Sequence, residues 1–361
     1  MSDDEIRQIA TSVIHGNDRF GFLNGNSIDV LRRLPDESVN CIITSPPYWA
    51  QREYDIEDDS KDKEIGREGD FNEYVTVLKE VFKEAKRVLK KDGSLWLNLG
   101  DKYHNKALMG MPWRVALSLM DDGWILRNDI IWDKMKGTQS CKDRFRDVYE
   151  HLFHFVKNTK YFYDSDSIRV ISPRKPKKIN GEMVSATGVS GKRYRRLIAD
   201  SSELSDNEKV EANKALDETL NQLMNGEIVD FRMTIRGNQR TYHSDNTNVS
   251  GRAKELANKG YFIMKMSSKG FLPSDIWRIT PEDTWRKDEH YAVFPEELLQ
   301  NPILATCPAD GIVLDVFSGT GSTVVAALKL GRKGLGIDLS EKYTTIAKER
   351  VTNIEYTLPL A

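Results

Sequence analysis

Cysteine is scarce in this 361-residue chain, and its three cysteines form no CxxC pair. Cys41, Cys141 and Cys307 therefore predict neither a disulfide framework nor a zinc site, and they indicate a reducing compartment. The acidic N-terminus lacks the basic start and apolar core of a signal peptide, and no stretch approaches the roughly 20 apolar residues of a membrane span. We expect a cytoplasmic protein with no metal site and no membrane partner.

An excess of charge of one sign is also missing, because 53 Lys and Arg oppose 55 Asp and Glu for a formal net charge of -2. Whole-chain charge predicts no polyanionic partner, so a nucleic-acid surface would need local segregation of charge. We find no internal repeat and no low-complexity tract. With 39% hydrophobic and 30% charged residues, the composition is typical of a globular protein of one or two domains.

Short apolar runs alternate with helical patterns along much of the chain. Strand-like runs occur at 20–24, 39–43, 94–100, 124–132, 150–156 and 311–317. A long helical stripe begins at Phe71 and is followed by a stop signal at 90–93. This alternation predicts an α/β fold with a doubly wound, mostly parallel sheet.

The alternation is interrupted in the middle of the chain. Basic residues dominate 172–200, a helix with a Ser205/Glu208 capping box follows, and 230–252 is rich in Arg, Asn, Gln, Ser and Thr. We therefore predict a domain in two parts, 1–171 and 286–361, with an inserted module at 172–285.

A glycine turn, Phe317-Ser-Gly-Thr-Gly-Ser-Thr323, lies between a strand and a helix. Gly319 and Gly321 let the backbone approach a ligand, and the helix offers free N–H groups. Asp338 ends the next strand about 20 residues later, which suits a carboxylate that accepts both ribose hydroxyls. A tight turn, with Asp338 merely capping the last helix, explains the same residues.

The glycine spacing narrows the choice of nucleoside. Val324 occupies the place of the third glycine in a dinucleotide fingerprint, and the Gly-Lys-Ser/Thr of a Walker loop is absent. Adenosine without pyrophosphate fits better, and S-adenosyl-L-methionine is the common ligand of that kind.

The strand at 39–43 leads into Thr44-Ser-Pro-Pro-Tyr-Trp49. The exocyclic amino group of a base is a poor nucleophile because its lone pair is delocalised into the ring, and a catalyst helps by accepting its N–H bonds. Ser45 supplies a hydroxyl oxygen and Pro46 a carbonyl, and the prolines hold both in extended geometry. Tyr48 offers a face for an extruded base. The alternative is a Pro-Pro turn whose aromatic rings plug the core.

TSPPYW, DVFSGTGST and GIDLSEKY together resemble the motifs of beta-order amino DNA methyltransferases, and the likeness covers 20–170 and 285–352. The resemblance implies a circularly permuted S-adenosyl-L-methionine-dependent methyltransferase fold with a DNA target recognition region at 172–285. SPPY is usual in cytosine-N4 enzymes, whereas DPPY or NPPY is usual in adenine-N6 enzymes. The resemblance thus implies methylation of N4 of a flipped cytosine in double-stranded DNA, which protects the site from a cognate restriction endonuclease.

The resemblance also implies site residues. The base would be held and activated by Ser45, Pro46, Pro47 and Tyr48. The cofactor would be surrounded by Asp315, Phe317, Ser318, Gly319, Thr320, Gly321, Ser322, Thr323, Asp338 and Phe294. Asn26 stands where the family often has an acid facing the adenine amino group, and it would accept through its amide oxygen.

The inserted module is predicted to recognise DNA. Its basic side chains can neutralise phosphates, and Arg can read guanine while Gln can read adenine. The candidates are Arg193, Arg195, Arg196, Arg232, Arg236, Gln239 and Arg240. For any one of them, a solvated surface position is an equal alternative.

Three other functions remain open. They are adenine-N6 methylation or the same chemistry on RNA, a non-catalytic DNA-binding protein on the same fold, and a nicotinamide oxidoreductase, which Val324 disfavours. Carbon-5 methylation of cytosine uses a nucleophilic cysteine, typically in Pro-Cys. Cys307 precedes Pro308, so we interpret it as a structural residue.

Overall fold

The computed structural model describes residues 1–50, 65–135, 141–171, 175–238, 251–281 and 295–355. It divides into two compact units. The sheet unit comprises Met1–Ile168 and Ser274–Ala361, and the inserted unit comprises Arg169–Pro273. No helix within the described ranges has both the length and the apolar character to cross a membrane.

In chain order the elements are α1 (Asp3–His15), β1 (Phe20–Asn24), α2 (Ser27–Leu31), β2 (Val39–Thr44), α3 (Phe71–Val88), β3 (Leu89–Leu99), β4 (Tyr103–His104), β5 (Ala107–Leu108), α4 (Met111–Asp121), β6 (Ile125–Asp133), β7 (Tyr149–Val156), β8 (Lys177–Ile179), β9 (Glu182–Val184), α5 (Gly191–Ala199), α6 (Asp206–Met224), β10 (Ile228–Ile235), α7 (Gly251–Lys259), β11 (Tyr261–Ser267), β12 (Ile276–Arg278), α8 (Glu296–Thr306), β13 (Ile312–Asp315), α9 (Ser322–Lys329), β14 (Lys333–Asp338) and α10 (Glu341–Glu355).

The sheet unit is organised around an eight-stranded sheet in the order β1-β14-β13-β2-β3-β7-β6-β12. Strand β7 is antiparallel to its neighbours β3 and β6, and the other pairs are parallel. The two strands from the C-terminal part, β13 and β14, lie between β1 and β2. This confirms the mostly parallel α/β sheet and the permuted order of its strands.

The sheet is covered on both faces because successive strand residues point in opposite directions. In β2, Ile42 joins the core formed with α1 to α4, whereas Cys41 and Ile43 join the core formed with α8 and α9. Both faces of β2 are therefore buried, as its continuous apolar run predicts for a strand inside a parallel sheet.

One boundary and one helix differ from the sequence predictions. The stop signal at 90–93 lies inside β3, because Leu89 already pairs with Val39 and the register shifts before Ser94 pairs with Cys41. Helix α1 was not predicted, although Ser2 and Glu5 form a capping box at its start.

The inserted unit has its own apolar core, in which α5 and α6 pack with the antiparallel pair β10–β11. The predicted capping box of Ser205 and Glu208 is confirmed at the start of α6. The sheet unit resumes at Ser274, earlier than the expected 286, because β12 pairs with β6 of the main sheet.

Candidate active site

The two sequence motifs lie side by side at one edge of the sheet. Strand β2 runs into TSPPYW and β13 runs into the glycine turn, and these parallel strands are neighbours through Leu314 and Ile42. Chain order reverses between them, since β13 leads to β14 on one side and β2 leads to β3 on the other. Such a switch point, outside the carboxyl ends of the strands, is where open α/β sheets bind ligands.

A buried carboxylate connects the two motifs. Thr44 Oγ1 donates to Asp315 Oδ1 at 2.7 Å, and Thr323 Oγ1 donates to Asp315 Oδ2 at 2.6 Å. The backbone N–H of Phe317 also donates to Oδ1 at 3.0 Å. Burial raises the pKa of Asp315 to about 6, even though these three donors favour its ionised form. Asp315 and Thr323 were both predicted to contact the cofactor, and in the structure their side chains bond each other within the fold.

The glycine turn has the backbone geometry that only glycine adopts easily. Gly319 has φ +50° and Gly321 has φ +80°. A Cβ on Gly321 would lie 2.9 Å from Ala347 Cβ and 3.0 Å from the ring of Phe22. The turn therefore packs tightly against β1 and α10.

The hydroxyls of Thr320 and Ser322 in the turn accept hydrogen bonds from within the protein, whereas the hydroxyl of Ser318 differs from them. Arg350 of α10 donates to the carbonyl of Thr320 at 2.5 Å, to its Oγ1 at 3.0 Å and to Ser322 Oγ at 3.4 Å. Ser318 Oγ is buried and has no hydrogen-bond partner among the described residues. Of these three predicted cofactor residues, Ser318 is the one whose hydroxyl is uncommitted.

Asp338 is held at the end of β14 by two backbone donors. Gly319 N–H donates to Oδ2 at 2.8 Å and Ser340 N–H donates to Oδ1 at 2.8 Å. Each carboxylate oxygen keeps a second lone pair, so the group can still accept two hydroxyls. Burial raises the pKa of Asp338 to about 6 against the effect of these N–H groups. The same carboxylate thus orders the glycine turn and offers the acceptors that a ribose needs.

The residues present fit an adenosine-type cofactor. Asp338 keeps two acceptor positions beside the glycine turn, whose positive φ angles leave backbone N–H groups near the start of α9. Asn26 lies at this edge too, but its amide oxygen accepts from Ile28 N–H at 3.0 Å as the N-cap of α2. Phe294 lies outside the described residues.

The TSPPYW turn is anchored on both sides. Pro46 is buried, and Tyr74 Oη of α3 donates to the carbonyl of Pro47 at 2.9 Å. The indole N–H of Trp49 donates to the carbonyl of Glu68 at 2.9 Å, and its ring belongs to the core. Trp49 therefore packs as the structural alternative predicted, while Ser45 and Tyr48 are half-buried.

The phenol of Tyr48 joins a polar network that sequence reasoning missed. Ser45 Oγ donates to Tyr48 Oη at 3.4 Å, and Tyr48 Oη donates to Glu150 Oε2 at 2.9 Å and lies 3.3 Å from Asn98 Oδ1. The ammonium of Lys134 pairs with Glu150 Oε1. The available signal was a polar residue in each of two apolar strands, SLWLNL and YEHLFHFV.

Other polar residues near this edge have structural partners. Asp101 accepts from Met111 N–H at 3.0 Å at the start of α4, and Asp129 lies 2.9 Å from His151 Nδ1. Cys307 is fully buried, and burial raises the pKa of its thiol to about 12. A thiol held neutral in this way is inert, which agrees with the structural interpretation of Cys307.

The predicted DNA-binding residues fall into different environments in the inserted unit. Arg193 is exposed on α5, Arg195 lies 2.5 Å from Asp217, and Arg196 lies 3.4 Å from Asp200. These surface pairs are weak, so both guanidinium groups remain accessible to phosphate.

Arg232 is exposed on β10, 3.6 Å from Asp230. Arg236 instead donates to the carbonyl of Glu203 at 2.6 Å and to Glu208 at 2.8 Å. Arg236 was predicted to contact DNA. Its guanidinium is instead engaged by Glu203 and Glu208 within the inserted unit. Gln239 and Arg240 lie outside the described residues.

Comparisons with known proteins agree with this geometry. Residues 39–349 match the N6/N4 methyltransferase family, described as DNA methylase. The Type II methyltransferase M.SfiI of Streptomyces fimbriatus is 30% identical, over 95% of this chain and 92% of that protein. The Type II methyltransferase M.Cfr9I of Citrobacter freundii is 29% identical, over 91% and 86%.

A solved structure, the PvuII DNA methyltransferase (cytosine-N4-specific), superposes with a TM-score of 0.55 at 16% identity, over 94% of this chain and 92% of that chain. At this identity the likeness concerns the fold. The family match, by contrast, covers both the TSPPYW motif and the glycine turn. The chain therefore belongs to the N6/N4 family of DNA methylases, enzymes that transfer a methyl group from S-adenosyl-L-methionine to DNA.

Proposed function

We propose that this chain is a site-specific methyltransferase that acts on N4 of a flipped cytosine in double-stranded DNA. The observation that carries the proposal is the place of Ser45. Ser45 follows Thr44, whose hydroxyl donates to Asp315, and Asp315 in turn accepts from Thr323 of the glycine turn. The proposed acceptor of the amine is therefore next to the proposed cofactor site. The first residue of the motif is the neutral Ser of SPPY, where adenine enzymes usually carry Asp or Asn.

The chain's own residues have defined tasks in this reaction. The bound cofactor supplies a methyl group on a sulfonium sulfur. Ser45 Oγ and the Pro46 carbonyl accept the two N–H groups of the amine, which returns lone-pair density to nitrogen at fixed geometry. Tyr48 is half-buried against the core and presents ring surface to the extruded base. Asp338 and the glycine turn hold the nucleoside part of the cofactor.

The inserted unit is proposed to recognise the DNA sequence. Its exposed arginines, Arg193, Arg195, Arg196 and Arg232, provide phosphate contacts and guanine readout. Because M.SfiI and M.Cfr9I, which match over most of their length, are Type II methyltransferases, we propose that the chain belongs to a restriction–modification system. Its partner would be a separate restriction endonuclease with the same site, and both would work in the cytoplasm.

The experiment that tests this proposal identifies the methylated base. Purified protein is incubated with double-stranded DNA and methyl-labelled S-adenosyl-L-methionine, and the DNA is digested to nucleosides for mass spectrometry. We expect label in N4-methylcytosine. Label only in N6-methyladenine would overturn the base assignment, and absence of label from all nucleosides would overturn the activity.

A further inference from the structure

Three polar groups beside the TSPPYW turn form a chain with one direction. Ser45 Oγ donates to Tyr48 Oη at 3.4 Å, and Tyr48 Oη donates to Glu150 Oε2 at 2.9 Å. A phenol has one proton, and the carboxylate is both the nearer and the charged acceptor, so that proton faces Glu150. The phenol oxygen is then an acceptor toward Ser45.

This direction decides the polarity of the serine hydroxyl. A hydroxyl has one proton and two lone pairs, and with its proton directed at Tyr48 both lone pairs of Ser45 Oγ remain for other donors. An amino group that donates N–H needs such an acceptor. A serine whose proton pointed toward the substrate would instead oppose the amine proton and repel it.

The surroundings of Glu150 and Tyr48 favour this direction of the hydrogen bonds. The side chain of Glu150 is only 12% exposed and is paired with Lys134, so its charge acts with little screening by water. Burial, followed by the charge of Glu150, raises the pKa of Tyr48 well above its usual value, which keeps the phenol neutral and able to donate.

Glycine at position 100 leaves the room that Tyr48 needs. A Cβ there would lie 2.8 Å from Tyr48 Cε2 and 3.1 Å from Glu150 Oε1. The amide of Asn98 is fixed in turn, since its Nδ2 donates to the carbonyl of His151 at 3.0 Å. Gly100 and Asn98 therefore both help to hold the Tyr48 phenol against the Glu150 carboxylate.

We propose that Glu150 is a positioning residue for methyl transfer, which acts through Tyr48 to orient the Ser45 hydroxyl as an acceptor for the target amine. This inference rests on the proposed function of Ser45. The chain also provides a route for the proton that the amine must lose. When nitrogen bonds to the methyl carbon, the carbon–sulfur bond breaks with its electron pair on sulfur, and nitrogen becomes cationic.

The nitrogen proton then passes to Ser45 Oγ, the serine proton to Tyr48 Oη, and the phenol proton to Glu150. The carboxylate becomes a neutral carboxyl, while serine and tyrosine regain their original forms. The step therefore balances with no further reactant.

The test is a double-mutant cycle on the single-turnover rate of methyl transfer at saturating DNA and cofactor. Tyr48→Phe removes the hydroxyl and keeps the ring, and Glu150→Gln removes the charge at nearly constant volume. We expect each change to lower the rate at least about tenfold, with DNA affinity unchanged. Because Glu150 acts through the phenol, the double variant should be no slower than the slower single variant.

Multiplicative losses in the double variant, or single variants with the wild-type rate, would overturn the proposal. Glu84→Gln is the matched control, since Glu84 is a half-buried carboxylate paired with Arg87 at 2.9 Å on α3. It should leave the rate unchanged. Tyr48→Phe leaves the Lys134–Glu150 pair unchanged. Its rate therefore tests the proposal even if Glu150→Gln lowers the stability of the protein. Methylation of adenine by the wild type would overturn only the base assignment, whereas multiplicative rate losses with N4-methylcytosine as product would overturn only the positioning role.

Discussion

Thr44 and Asp315 are joined by a buried hydrogen bond of 2.7 Å between positions 271 residues apart in the chain. This contact binds the end of β2 to the end of β13, and Thr323 extends it to the helix after the glycine turn. Together with the pairing of β13 with β2, this carboxyl group therefore holds the TSPPYW turn beside the glycine turn. Methyl transfer needs the two reactants in near contact, so a small change here would be costly to the rate.

The first prediction concerns the pH dependence of stability. The pKa of Asp315 is about 6 in the folded chain and near 3.8 when unfolded, so the folded state binds this proton more tightly. Its stabilising contribution is present at about pH 4 and is lost as the pH rises through about 6. Asp315→Asn removes this titration. Between pH 5 and 7.5 the wild type should lose about 1 kcal/mol of unfolding free energy relative to the variant, measured by urea denaturation. A constant difference would contradict the assigned environment.

The second prediction concerns cofactor binding at low pH. Asp338 must be ionised to accept both ribose hydroxyls, and its pKa is about 6. Affinity for S-adenosyl-L-methionine should therefore be about tenfold weaker at pH 5 than at pH 7.5, measured by calorimetry. Asp338→Asn should bind weakly at both values, and comparison with it removes effects of the cofactor's own titration. Equal affinity of the wild type at both pH values would argue against a ribose contact.

The third prediction separates backbone strain from close packing in the glycine turn. Gly321 and Gly331 have similar φ angles, +80° and +75°, but a Cβ on Gly321 would meet Ala347 and Phe22, whereas no atom of the described residues lies within 4 Å of one on Gly331. Gly331→Ala should cost about 1 kcal/mol of unfolding free energy through strain alone. Gly321→Ala should cost at least about 1 kcal/mol more. Similar losses in thermal unfolding would show that the turn can relax.

The fourth prediction distinguishes two arginines of the inserted unit. Arg236 bonds Glu203 and Glu208, and this contact is the first cause that lowers the pKa of Glu208 to about 2. Arg236→Ala should lower the melting temperature. Arg193 is exposed, so Arg193→Ala should preserve stability and instead weaken DNA binding, with a salt slope shallower by about one. The reverse pattern would exchange their roles.

The fifth prediction concerns Ser45 itself. Ser45→Ala removes the hydroxyl acceptor and leaves the Pro-Pro turn intact. The methylation rate should fall about 100-fold or more, while DNA affinity is retained, because the lost contact forms with the reacting amine. Turnover can be followed with labelled cofactor and affinity by fluorescence anisotropy. An unchanged rate would favour a non-catalytic protein.

The alternation of strands and helices, the two motifs and the local caps could be predicted from the amino-acid sequence alone. These features depend on neighbouring residues: apolar runs fill buried strands, glycine permits the turn at Gly321, and Ser205 with Glu208 caps α6. The family resemblance implied a permuted strand order, and the pairing of β2 with β13 at the switch point agrees with it.

The sequence did not reveal which polar groups keep hydrogen-bonding capacity, because that depends on contacts between distant segments. Asp315 and Asp338 are both carboxylates at the ends of adjacent strands, yet one is occupied by Thr44 and Thr323 while the other keeps acceptor capacity. Likewise, Glu150 is recognised as part of the site only because it accepts a hydrogen bond from Tyr48, which is 102 residues away in the chain. A hydrogen bond forms only when donor and acceptor lie within about 3 Å of each other. Partners from distant segments of the chain reach that distance only once the sheet has formed.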